Sequence, residues 1–348
     1  MPVASFKSNK QKPLRAVGAY VFAGGFTVGV KEAKFEVLCH LEESNYGVAT
    51  ARRNLSDVPV HTRADSWPLD SLENEDIDFV YGNPPCAAWS VAGSAGHHGG
   101  SWRDSPLVEC TRRHFSLLAR LRPKVWAWES VQNAWKKGES FVRELADEAA
   151  KSGYSTTVWL HDAVNLGVPQ RRKRFFMLCH NIELMIEQSY CRAITIDEAL
   201  ASVVEIGDPI EHNIKKVSYL LPSMRQGMTL KAAWESVNFA RKLNANGQVA
   251  GRPSFAVVRP RSGAPSPVIR HEVVHPTEDR GLSENELKAL CGFPADFKFI
   301  GSGIPHQIGR GVCPPVAAHL AKCIANALRR SKKIKPRFTV IDHTTRRE

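Results

Sequence analysis

The 348-residue sequence has no CxxC cysteine pair and no cluster of histidines and cysteines at zinc-ligand spacing. A structural zinc site is thereby excluded and no bound metal is expected. Its eight cysteines are scattered from Cys39 to Cys323, so no disulfide framework is indicated and a reducing cytoplasm is the expected compartment. No apolar run approaches the roughly 20 residues that cross a bilayer. The opening MPVASFKSNKQKPLRA also lacks the apolar centre of a secretory signal, so neither a membrane partner nor export is expected. Internal repeats and low-complexity tracts are missing too. What the chain does have is 43% hydrophobic residues and a formal net charge of +12. The first is ample for a buried core without covalent staples. The second favours an anionic partner, nucleic acid foremost, provided that a site goes with it.

Short apolar runs alternate with helix-like segments through the first half. RAVGAYVFA reads as a strand ending at Gly24 and Gly25, FEVLCHLE as a second ending in acids, and DIDFVYGNPP as another. SPLVECTRRHFSLLARLR has helical apolar spacing ahead of the strands KVWAWESV, YSTTVWLHDAV and FFMLCH. This alternation predicts an α/β fold: a doubly wound, mostly parallel sheet with helices on both faces and a ligand site at the strand carboxyl ends. Residues 14–183 would form this catalytic domain. Residues 184–262 are less periodic and rich in polar and basic residues, as in an inserted lobe, and residues 263–328 return to the main domain through the helix PPVAAHLAKCIANALRR. The remaining basic tail, 329–348, is expected to be mobile.

At the end of one predicted strand, GNPPCAAWS sets Cys86 directly after Pro84 and Pro85. Two prolines stiffen the loop, which suits a thiol that must meet an electrophilic carbon at fixed geometry. A lone cysteine is more often a small buried hydrophobe, so other segments must carry the reading.

Those segments resemble the cytosine-C5 DNA methyltransferases. GNPPCAAWS matches that family's nucleophile loop G-x-P-P-C-Q-x-F-S except at Ala87 and Trp89, and Glu129-Ser130-Val131 is similar to its E-N-V motif. GVPQRRKR meets G-V-P-Q-x-R-x-R, with the two arginines at Arg172 and Arg174. RGLSENELKALCGFPADF resembles R-x-L-T-x-R-E-x-A-x-L-Q-G-F-P-D-x-F, and HQIGRGVCPPVAAHL resembles Q-I-G-N-S-V-P-P-x-V-A. Order and spacing agree over about residues 16 to 325.

The resemblance implies a class I S-adenosylmethionine-dependent methyltransferase fold and S-adenosyl-L-methionine as methyl donor. It also implies duplex DNA as partner, with the lobe at 184–262 reading the target. Cytosine C5 is too weak a nucleophile to attack a methyl sulfonium unaided, so Cys86 would add to C6 and turn the ring into an enamine. Glu129 would protonate N3, Arg174 would stabilise O2 with Arg172 beside it, and water would take the C5 proton. The base would be flipped out of the helix. Ser90, Arg103 and Gln170 would contact DNA, and the glycine-rich loop carrying His97, His98 and Arg103 would close over it. Phe22, Gly24, Gly25, Glu42, Asp65, Pro85 and Arg310 would line the cofactor. Phe22 would pack on adenine, Glu42 would take the ribose hydroxyls and Asp65 the adenine amine. A monomer in a prokaryotic or phage setting, cytoplasmic and nucleoid-associated, with a restriction endonuclease as companion, completes the expectation.

The sequence departs from the family in three places that bear on the cofactor. Tyr20 replaces the acid of D-L-F-A-G-x-G-G-F, and the glycine loop is two residues shorter. Arg310 replaces the asparagine of G-N-S-V. An arginine at roughly 5 Å from a sulfonium, with an effective dielectric near 20, is repelled by about 3 kcal/mol. Against carboxy-S-adenosyl-L-methionine the same guanidinium would grip a carboxylate. Carboxymethyl transfer therefore stands as the alternative to methyl transfer. The sequence also leaves room for a catalytically silent DNA-binding relative and for an RNA cytosine methyltransferase.

Overall fold

The computed structural model describes residues 12–89, 102–240, 257–269, 272–330 and 332–345. Ser90, His97 and His98, with most of the loop expected to close over DNA, lie outside the described residues. Among the described residues, eight strands make one sheet in the order β3-β2-β1-β4-β5-β7-β6-β8. They are β1 Leu14–Ala19, β2 Phe35–Leu41, β3 Val60–His61, β4 Phe79–Gly82, β5 Val125–Val131, β6 Ser155–Asp162, β7 Lys173–His180 and β8 Phe338–His343. Only β7 runs antiparallel to its neighbours β5 and β6. The strand order reverses between β1 and β4, and a sheet of this kind opens its binding crevice at such a switch point.

Helices cover both faces, which explains why β5, β6 and β7 are buried along nearly their whole length rather than on alternate residues. On one face Gly25–Glu32 and Pro314–Arg330 pack together, joining Phe26, Val30, Leu320 and Ile324 to Phe79 and Phe176. On the other, Leu107–Leu121 and Glu139–Lys151 press Phe115, Leu118, Val142 and Leu145 onto Trp126 and Met177. Leu107–Leu121 turns Val108, Thr111, Phe115 and Leu118 inward at three- and four-residue spacing and stops at Arg122, whose φ is 45°. The inserted region is divided. Leu184, Ile186, Ile196 and Ala199 belong to the main core, whereas Ile214, Leu220, Leu221, Leu230, Val257 and Val274 build a separate small cluster.

The tail differs from the expectation of a mobile segment. Phe338–His343 pairs in parallel with β6, setting Ile341 opposite Trp159 and His343 opposite His161. Phe338 stacks on Trp135 at 6.2 Å and lies under the Arg143 guanidinium at 4.8 Å. Three apolar residues, Phe338, Val340 and Ile341, between basic flanks give little local signal. The docking comes from the unpaired edge that β6 would otherwise expose.

Candidate active site

The carboxyl ends of β1 and β4 hold two tight loops against each other. Gly24 has φ +88° and starts the helix Gly25–Glu32, and a Cβ on Gly25 would run into the Val312 carbonyl oxygen. The loop therefore needs glycine there to touch the turn that follows Arg310. Asn83 donates its backbone N–H to the Tyr20 carbonyl at 3.2 Å and its side-chain amide to the Arg310 carbonyl at 3.3 Å. Beyond Pro84 and Pro85, Trp89 N–H donates to the Cys86 carbonyl at 3.0 Å, closing a turn around the thiol. Trp89 is buried against Trp102 and Phe141, so the loop is pinned at both ends and Cys86 is left half-buried.

Glu129 and Arg174 meet across β5 and β7, where Arg174 pairs with Val131 and Phe176 with Glu129. Arg174 Nε lies 3.3 Å from Glu129 Oε1, with both side chains largely buried. Burial pushes the Glu129 carboxyl above the usual carboxylate range, against the pull of Arg174 and Arg172. Burial also lowers Arg174 to about 10, helped by Arg172. The Cys86 thiol is raised by burial and by Glu129, and is drawn back down by Arg174, Arg310 and Arg172. Thiol, carboxyl and three cations thus share one electrostatic neighbourhood. Within it Arg172 is committed to the backbone: it donates to the carbonyls of Gly309 at 2.7 Å and Gly311 at 2.6 Å, on either side of Arg310. Its place is to hold the turn that carries Arg310.

On the cofactor side Glu42 is buried and accepts backbone N–H groups of Phe22 at 2.6 Å, Glu43 at 3.0 Å and Ser44 at 2.7 Å. A carboxylate has about four acceptor sites, so one remains for a hydroxyl. Asp65 sits at the rim of an open groove lined by Glu43, Thr62, Arg63, Ala64 and Arg113. A bidentate bond from Arg63 at 3.0 and 2.6 Å engages it and holds its carboxyl below the usual range. Phe22 has φ 49° and Tyr20 φ 54°, a left-handed backbone that non-glycine residues adopt at a cost of roughly 1–3 kcal/mol each. Such strain is a common mark of a ligand loop. The Arg310 guanidinium lies 4.6 Å from the Phe22 ring centroid. Pro85 is half-buried beside Cys86. Tyr20, standing at the family's acid, takes a hydrogen bond from Arg113 at 3.2 Å instead of offering a carboxylate.

The DNA-facing expectations fare unevenly. Arg103 is exposed, with its guanidinium over Trp102 at 4.5 Å and a bond to Ser140 at 2.8 Å. Gln170 departs from its expected DNA contact: it is wholly buried and donates to Cys291 Sγ at 3.3 Å. A side chain without exposure does not reach a phosphate. Sequence reasoning missed the residues packed behind Glu129 and Arg174. Cys291 and Cys313 lie close enough to perturb each other's thiol, next to Arg172, at the positions where the family motifs have glutamine and proline. His161 on β6 shares a small, partly open cavity with Glu129, Arg172, Arg174 and Cys313. Its signal was a lone imidazole in the apolar run YSTTVWLHDAV.

Comparison with known proteins agrees with this geometry. The family model described as C-5 cytosine-specific DNA methylase matches residues 20–326. The chain is 27% identical over 333 residues to the type II methyltransferase M.AplI of Arthrospira platensis, covering 94% of this chain and 88% of the relative. It is 25% identical over 320 residues to the type II methyltransferase M1.HphI of Haemophilus parahaemolyticus, covering 87% and 84%. Among solved structures, an E. coli prophage protein described as a DNA modification methyltransferase aligns with a TM-score of 0.70 at 16% identity, over 91% of this chain and 99% of that one. That likeness shows the fold. Among the described residues no helix is long and apolar enough to cross a membrane.

Proposed function

The chain belongs to the C-5 cytosine-specific DNA methylase family, and on that premise we propose that it alkylates C5 of cytosine in duplex DNA through a transient bond from Cys86 Sγ to C6. The observation that carries this reading is the thiol on its doubly pinned loop, in the same electrostatic neighbourhood as Glu129, Arg174, Arg310 and Arg172. As the Sγ–C6 bond forms, the Glu129 carboxyl gives its proton to N3, and Arg174 stabilises the charge gathering at O2. After transfer the C5 proton passes to water, the C6–S bond breaks to release the thiolate, and the N3 proton returns to Glu129. Arg172 takes part by holding the Arg310 turn.

S-adenosyl-L-methionine is the donor that the family implies, and when bound it supplies the methyl group as an electrophile. The residues present fit it: a side-chain-free loop at Gly24 and Gly25, the Phe22 ring, the spare acceptor of Glu42, the rim carboxylate of Asp65, and Pro85 beside the thiol. The target base is flipped from the duplex to reach Cys86. The small cluster around Leu220 and Leu230 forms the core of the target-recognition region, 184–262, and its modest size argues for a short recognised sequence. Ser90 and Arg103 contact the DNA backbone. We further read the enzyme as a monomer of a prokaryotic or phage cytoplasm, paired with a restriction endonuclease, because its relatives carry type II names.

A second reading concerns the donor. Arg310 lies over Phe22 and its charge is felt at Cys86, which supports a guanidinium close to the transferable group. That cation disfavours a bare sulfonium methyl and favours a carboxymethyl, the group of carboxy-S-adenosyl-L-methionine. Trapping on duplex DNA carrying 5-fluorocytosine tests the covalent route, with transfer RNA as the competing substrate. A stable adduct on DNA alone supports the proposal. Adduct on RNA alone, or none, overturns it and favours an RNA enzyme or a silent relative. Mass spectrometry of the product nucleosides then separates 5-methylcytosine from 5-carboxymethylcytosine.

A further inference from the structure

His161 is 2% exposed, and neither ring nitrogen has a hydrogen-bond partner among the described residues. The ring is stacked on Trp159 at 4.5 Å and lies 5.5 Å from Phe176. It therefore has a fixed plane and an aimed edge. The charged and titratable groups around it are Arg174 and Arg172 on the β7 side, His319 from the helix Pro314–Arg330 and His343 from β8. With burial, they push the imidazole well below its ordinary range and leave it neutral at physiological pH. A neutral imidazole carries one N–H donor and one acceptor, and both are unmet here.

The cavity that His161 shares with Glu129 is about 10 Å³, room for the centre of one water molecule. Glu129 Oε1 is unmet as well: Arg174 Nε is close enough for an ion pair, yet no hydrogen bond reaches that oxygen. Two buried polar groups thus lack partners on one small cavity that Arg172 and Arg174 also line, and buried groups of this kind are ordinarily satisfied by an ordered water.

We propose that this cavity binds a single water that links His161 to Glu129, making His161 a positioning residue for the carboxyl that lends its proton to cytosine. The inference rests on the cytosine-C5 reading and deepens it. Glu129 must be a carboxylic acid before Cys86 adds and a carboxylate afterwards. Arg174 can only donate, so on its own it favours the carboxylate throughout. A water backed by a neutral imidazole donates to the carboxylate and, after turning, accepts from the acid. Glu129 can thus keep one orientation through both halves of the cycle. No proton is consumed: the one that leaves Glu129 for N3 returns when the C6–S bond breaks.

The test compares the unmutated enzyme with His161→Leu, which is apolar, and His161→Asn, which keeps a donor and an acceptor. The infrared carbonyl stretch of the protonated Glu129 carboxyl, assigned by its disappearance in Glu129→Gln, should rise in frequency in His161→Leu as a hydrogen bond is lost. It should return toward the original in His161→Asn. Adduct formation with 5-fluorocytosine DNA should slow about tenfold in His161→Leu, recover partly in His161→Asn, and leave DNA and cofactor affinity unchanged. A high-resolution structure should place a water between His161 and Glu129. An unshifted carbonyl band in a folded His161→Leu protein, or a dry cavity, overturns the proposal. Should the unmutated enzyme form no adduct at all, the cytosine reading fails, while the band of the resting enzyme still tests the link between His161 and Glu129.

Discussion

Arg310 and Phe22 are stacked: the guanidinium carbon lies 4.6 Å from the ring centroid, where the glycine loop of β1 faces the turn at the end of the helix Ile304–Arg310. The contact is held from behind, since Arg172 grips the carbonyls of Gly309 and Gly311 and Asn83 grips that of Arg310 itself. A long cation fixed at its base, with its head over Phe22, is well placed to choose between donors of different charge.

Arg310→Asn should therefore change donor choice. With both donors in competition, the preference for carboxymethyl over methyl should fall by a few kcal/mol, on the order of a hundredfold. If Arg310 binds phosphate instead, the substitution should weaken DNA binding in a salt-dependent way and leave the product ratio alone. Exclusive 5-methylcytosine from the unmutated enzyme rules out the carboxymethyl reading.

Removing the Cys86 thiol is the plainest test of the covalent route. Cys86→Ala should abolish both transfer and the 5-fluorocytosine adduct while leaving the melting temperature nearly unchanged, because the loop is pinned by Pro84, Pro85 and Trp89 rather than by the thiol. Turnover retained by this variant rules the mechanism out.

The pH profile of adduct formation follows from two raised acidities. The thiolate of Cys86 is lost as pH falls and the acid form of Glu129 is lost as pH rises, so the unmutated enzyme should show a flat-topped bell. Its alkaline fall belongs to Glu129, because above the thiol's pKa the thiolate is saturated while the acid form keeps declining. Glu129→Gln should slow the reaction at least about a hundredfold and lose that fall, its rate climbing with pH and then levelling. Arg310→Asn removes a cation that lowers the thiol, so its alkaline shoulder should move upward.

Gly25→Ala should be costly although the helix it opens would accept alanine. The new Cβ would clash with the Val312 carbonyl oxygen and stand 2.9 Å from the Phe293 ring. Overpacking of this kind costs about 1–3 kcal/mol. Calorimetry should show a melting point lower by several degrees, together with weaker donor binding.

Deleting residues 331–348 removes β8 and opens the β6 edge beside His161. The truncated protein should melt lower and aggregate more readily on heating, as exposed strand edges do. An unchanged melting curve means that β8 contributes nothing to the fold.

That Cys86, Glu129 and Arg174 belong to one cluster was legible in the chain because each sits in a short segment whose spacing is local: GNPPCAAWS, WESV and GVPQRRKR. The parallel α/β core was legible for the same reason, since alternating strands and amphipathic helices are periodic over a few residues. Gln170 was misplaced because a motif gives order and not direction, and the bridge from Gln170 to Ser266 turns its side chain inward.

Tertiary structure alone decided what lies behind and around those motifs. His161 comes to line one cavity with Glu129 only because β7 enters the sheet antiparallel between β5 and β6. Cys291 meets Cys313, and Arg172 meets Gly309 and Gly311, across gaps of 22, 137 and 139 residues. β8 finds β6 from the far end of the chain. Local periodicity fixes which residues can face a core, but the partner across a sheet or a turn is chosen by packing and by the need to satisfy buried polar groups, and neither is written in any short stretch of sequence.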